Sequence, residues 1–102
     1  MLIYNTTFHC ERDCYNDFLD WLRTQYIPRA GQHGGVKEAR LARIMGQDEA
    51  EGVSISLQFT TANIDTLSAW YEQCGALLVE ELEKKFQQRV AGFSTIMEHI
   101  EL

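Results

Sequence analysis

Residues 53–59 read Val-Ser-Ile-Ser-Leu-Gln-Phe, an unbroken alternation in which every second side chain is large and apolar. Successive side chains of an extended strand point to opposite faces of a sheet. Val53, Ile55, Leu57 and Phe59 therefore share one face, and Ser54, Ser56 and Gln58 share the other. The first face must be buried under a covering layer. The second is polar but uncharged, and it stays free if all the covering elements lie on one side.

Working outward, Gly46 to Gly52 form a polar turn, and Val36 to Met45 is the strand it joins to residues 53–59. The turn acids Asp48, Glu49 and Glu51 read as solvated loop charge, because the spacing of a calcium-binding EF-hand loop is absent. Further out the period changes from two to three and four. Tyr15, Phe18, Leu19, Leu22 and Tyr26 make one apolar stripe, and Leu67, Cys74, Leu78, Leu82 and Phe86 make another, with Trp70 or Tyr71 at its missing position. Whichever of those two aromatics leaves the core is free to line a cleft. Asn63 is the expected cap of the second helix. Pro28 is expected to kink or end the first near Ile27, and Gly31, Gly34 and Gly35 supply the loop beyond. Gly75 inside the second helix costs about 1 kcal/mol relative to alanine.

The outermost strands are Leu2 to His9, with Leu2, Tyr4 and Phe8 opposite Asn5, Thr7 and His9, and Phe93 to Ile100. The order is β-α-β-β-α-β. With right-handed crossovers it gives an α+β, ferredoxin-like fold: a four-stranded antiparallel sheet in the order 4-1-3-2, with two helices on one face. The predicted core is Tyr4, Phe8, Phe18, Leu22, Val53, Ile55, Leu57, Phe59, Leu67, Leu78, Leu82 and Phe86.

At 102 residues the chain is expected to be one domain, spanning 1–102. A net charge of −6, with nine scattered Lys and Arg, makes it a poor phosphate binder, so nucleic acid is not an expected partner. No apolar run reaches the roughly 20 residues that cross a bilayer, and residues 1–13 lack the pattern of a secretory signal, so no membrane partner is expected. Three cysteines, an odd number, fit a reducing compartment, and the expected location is cytoplasmic.

Few familiar chemistries fit. There is no phosphate-binding glycine loop, GxSxG, HExxH or CxxC. His9, Cys10 and Cys14 lie close together, but a tetrahedral metal site needs about four ligands, and Cys74, His33 and His99 form no second pair. No metal, cofactor or catalytic residue is assigned. Cys14 and Cys74 read as packing thiols and Cys10 as a junction residue. Arg40 and Arg43 on the second strand, near Ser54, Ser56 and Gln58, are candidates for holding a carboxylate.

Five segments carry a resemblance: MLIYNTTF at 1–8, WLRTQYIPRA at 21–30, RLARIM at 40–45, SLQF at 56–59 and GFSTIMEHI at 92–100. Together they resemble a bacterial family of short proteins of unknown function. That family is similar to the dimeric α+β barrel proteins, in which two ferredoxin-like subunits oppose their open sheet faces. The resemblance implies the architecture and a homodimer, and it brings no catalytic residues.

Two readings of function follow. The leading one is a non-enzymatic homodimer, a regulatory or interaction module joined through the open sheet face. The alternative is a small-molecule binder or cofactor-free enzyme using that face as its cleft, with His9, Arg43, Ser54, Ser56 and Gln58 around a small anionic ligand.

Overall fold

A computed structural model of the chain describes residues 1–46 and 51–102. The elements run β1 (Leu2–Cys10), α1 (Tyr15–Trp21), a π-helical turn (Leu22–Tyr26), α2 (Ile27–His33), β2 (Lys37–Arg43), β3 (Val53–Thr61), α3 (Ile64–Trp70), a second π-helical turn (Tyr71–Gly75), α4 (Ala76–Phe86) and β4 (Val90–Glu98). Two long helical segments, 15–33 and 64–86, thus alternate with strand pairs. The antiparallel sheet has the order β2-β3-β1-β4, the predicted order read from the other edge, and the fold is ferredoxin-like α+β. Asp48 and Glu49 of the predicted acidic turn lie outside the described residues.

The alternation at 53–59 works as expected. All twelve predicted core residues are buried, joined by Trp21, Tyr26, Val36, Trp70 and Val90, and by Cys10 and Cys14. Phe18 stands edge-on to Phe8 at 5.2 Å and to Phe86 at 5.4 Å between ring centroids. Such pairs contribute about 0.5–1.5 kcal/mol each beyond their buried area. Asn63 caps α3, its side-chain oxygen accepting the Thr66 N–H at 2.8 Å.

Pro28 does not end the first helix. The turn before it widens by one residue, so that the Ile27 N–H bonds to the Leu22 carbonyl, five residues back. Pro28 then sits in the first turn of α2, where it has no helical hydrogen bond to forfeit. The second helix widens in the same way, with the Ala76 N–H bonding to the Tyr71 carbonyl. Gly75 is required there for space, because a Cβ on it would lie 2.7 Å from the Trp70 ring and 2.8 Å from that of Tyr71.

Two strand bounds shift: β4 runs Val90–Glu98, starting three residues before the predicted Phe93, and β2 is shorter than 36–45. β2 also carries an irregularity between Lys37 and Arg40, where Glu38 takes a left-handed backbone with φ of 57°. β2 and β4 are the two edges of the sheet.

Candidate ligand cleft

Residues paired across strands share a face, so the register sorts the predicted site residues directly. His9 pairs with Ser54, Thr7 with Ser56 and Asn5 with Gln58, all on the face away from the helices. There the His9 Nδ1 and the Ser54 hydroxyl are 3.1 Å apart. Ser56 donates to the Asn5 side-chain oxygen at 2.6 Å, and the Asn5 amide donates to Thr7 at 3.2 Å. Ser54, Ser56 and Gln58 are therefore neighbours on this face, with His9 at its rim.

Arg43 is not among them. It pairs with Ile55, on the helix-facing side, and its guanidinium lies over the Tyr15 ring at 5.7 Å. Arg40 pairs with Gln58 instead and is a cation of the open face. Two strand residues three apart cannot point the same way. The expected convergence of His9, Arg43 and Gln58 does not form, because Arg43 stands on the opposite side of the sheet. Arg40, Gln58, Glu38 and His99 line a hollow of about 250 Å³ on the open face.

A larger concavity lies on the helix side, between α4 and the β1–β4 half of the sheet. It is a cleft of about 680 Å³, within the range of small-molecule sites. It opens where most of β4 lies beyond the helices: Gly92, Ser94 and Ile96 are exposed, while Val90 is buried. The sheet contributes small side chains at this point. Gly92 pairs with Phe8 and Ser94 with Thr6, and a Cβ on Gly92 would meet the Phe8 ring at 2.9 Å. Apolar walls come from Phe8, Val79, Leu82 and Val90.

Within those walls stands a chain of hydroxyls. Ser94 donates to the Tyr4 oxygen at 3.3 Å, and the Ser94 and Thr6 oxygens are 3.0 Å apart. With the Ser94 proton given to Tyr4, Thr6 must donate to Ser94, which leaves the Tyr4 O–H directed onward. Tyr26 adds a fourth hydroxyl, its phenol pushed up by burial and by neighbouring Tyr4. The ambiguity between Trp70 and Tyr71 resolves here. Trp70 is 1% exposed in the core, and Tyr71, 41% exposed, lines the cleft.

The cysteines stand apart from this cleft. All three are free, with Cys10 and Cys14 buried. Burial, then the neighbouring Cys14, pushes the Cys10 thiol up to about 11, and burial also raises Cys14 and Cys74. At pH 8 the folded protein should hold roughly a hundredfold less Cys10 thiolate than an open thiol would. A disulfide reagent is expected to modify Cys10 that much more slowly in the native state, and to titrate three thiols in denaturant. Fast native reaction at Cys10 would contradict its burial. Among the described residues no group of three His, Cys, Asp or Glu is placed to hold a metal, and no helix is long and apolar enough to cross a membrane.

The family model for the domain of unknown function DUF4286 matches residues 1–100. No curated protein matches the chain in sequence. Among solved structures it is similar to an ethyl tert-butyl ether D (EthD) family protein from Bacillus halodurans, with a TM-score of 0.71, 13% identity, and coverage of 98% of this chain and 100% of that one. A dimeric ferredoxin-like protein from an uncultured marine organism gives 0.61, 10% identity, and 99% and 97% coverage. SnoaB, a cofactor-independent oxygenase from Streptomyces nogalater, in a mutant form, gives 0.64, 9% identity, and 99% and 95%. At these identities the likeness shows the fold. The chain belongs to the DUF4286 family.

Proposed function

We propose that this DUF4286 member is a homodimeric small-molecule-binding protein that uses the two faces of its sheet for different tasks. The helix-side cleft holds the ligand, and the open face meets a second copy. The carrying observation is the hydroxyl chain Thr6–Ser94–Tyr4 set in otherwise apolar walls. A few convergent polar groups in an apolar concavity fix a ligand's orientation. One structural relative is a cofactor-independent oxygenase, which fits a ligand cleft in this fold; the reading here is one of binding.

The open face supports the subunit contact. Ile3, Asn5, Thr7, Ser54, Ser56, Phe93, Thr95 and Met97 carry no formal charge, and Phe93 is 65% exposed. Interface cores are depleted in charge and enriched in aromatic residues and Met. Two such faces can meet across a two-fold axis. In this reading His9, Ser54, Ser56 and Gln58 belong to the subunit contact rather than to an anion site. The dimeric ferredoxin-like relative points the same way.

One pair of variants separates the two tasks. In a thermal-shift screen of metabolites, compounds that stabilise the wild-type chain are expected to lose their effect on Ser94→Trp, which fills the cleft. Sedimentation at micromolar concentration is expected to give twice the 11.8 kDa chain mass, and Ser56→Arg is expected to give monomer while Asp17→Asn on the helix side does not. Ligands retained by Ser94→Trp but lost with Ser56→Arg would move the binding site to the open face. A wild-type monomer would remove the dimer.

A further inference from the structure

We infer that the ligand of the helix-side cleft is a small organic cation with an apolar body, an amine or quaternary ammonium. The inference rests on the proposed binding role of that cleft and names the ligand's chemistry. The argument is one of charge and rings. Five aromatic residues line the cleft: Tyr4, Phe8, Tyr26, Tyr71 and, at its outer edge on β4, Phe93. The face of an aromatic ring is electronegative and attracts a cation, the more so where water is excluded. Phe8 and Tyr26 stand edge to face, at 81° between ring planes, so two differently oriented rings border the same space.

Among the described residues one formal charge lines the cleft, the carboxylate of Glu83, and no Lys, Arg or His does. The lysines nearby in sequence are engaged elsewhere. Lys84 pairs with Glu80 at 3.1 Å, and the Lys85 ammonium lies over the Phe86 ring at 5.7 Å. An anion entering the cleft would therefore meet a carboxylate and aromatic rings with no compensating cation, within a chain of net charge −6. A cation would meet the reverse. The hydroxyl chain suits a protonated amine, because the Tyr4 oxygen keeps a lone pair for its N–H; a quaternary ammonium, which has no N–H, would rest on the rings and Glu83 alone. The anionic ligand expected from Arg43 has no counterpart here, since that guanidinium packs on Tyr15.

Three soluble probes of one size test the assignment: 2-phenylethylammonium, 2-phenylethanol and phenylacetate, each titrated calorimetrically into the full chain at low salt. The ammonium is expected to bind at least tenfold more tightly than the alcohol, with phenylacetate weaker still. Glu83→Gln should weaken the ammonium about five- to tenfold and leave the alcohol unchanged. Ser94→Trp should abolish both. Alcohol or phenylacetate binding at least as tightly as the ammonium, and lost in Ser94→Trp, would overturn the cation assignment and leave the cleft as a ligand site. Binding of none of the three would overturn the assignment together with the reading beneath it.

Discussion

Trp70→Ala is expected to lower the unfolding free energy by about 3–5 kcal/mol, the usual cost of emptying a buried aromatic site. The indole is 1% exposed and meets Tyr4 edge-on at 5.8 Å and Phe59 at 6.4 Å. Its N–H donates to the Ala30 carbonyl at 3.1 Å, which ties the second helical segment to the end of the first. Gly35 and Gly75 are both shaped around it. The loss is a large share of the roughly 5–15 kcal/mol that holds a domain together. Trp70→Phe keeps part of the packing but leaves the Ala30 carbonyl without its donor, which adds about 1–3 kcal/mol. Urea denaturation followed by circular dichroism measures both. A Trp70→Ala loss below about 1 kcal/mol would mean that the helices are not joined through this ring.

Leu57→Ala should cost about 2–5 kcal/mol in the same measurement, the range for a leucine removed from a tight core. Leu57 is 1% exposed and stands in register with Thr6 on one side and Leu41 on the other, in the middle of the sheet. Little can collapse into the gap from a central strand flanked on both sides, so the upper half of the range is expected. A loss typical of a surface residue, within about 0.5 kcal/mol, would mean that β3 presents its serine face to the helices instead.

The sheet was legible because β3 alternates without exception, and the helices because their stripes keep a regular step. What the sequence concealed depends on tertiary contact. Arg43 was assigned to the wrong face because a charged residue on a half-exposed edge strand carries no burial signal of its own, and β2 is irregular near its start. Pro28 reads locally as a helix stop. It is accommodated because the preceding turn adds one residue, a feature with no marker in the apolar stripe. The cleft carries no mark in the sequence for a related reason. Thr6, Gly92 and Ser94 are small side chains on the helix-facing side, and small residues in a strand give no alternation to read. The open face reads as a possible cleft in the alternative reading because it is polar. The hydroxyls that matter for the cleft sit among apolar walls on the other side.

The two edges of the sheet differ in a way that limits how far this protein can associate. A strand edge with unsatisfied backbone groups accepts another strand, and a sheet receptive at both edges is bivalent: each added copy presents a fresh edge and growth continues. β2 blunts its edge with Lys37, Glu38, Arg40 and Arg43 and with the left-handed backbone at Glu38. β4 spans Val90 to Glu98 with its one charge at the last position. The two edges are thus unequal for strand pairing, with β4 the more receptive. Two copies meeting β4 to β4 exhaust the receptive edge of both, so that mode of addition stops at a pair and does not run on into a fibre.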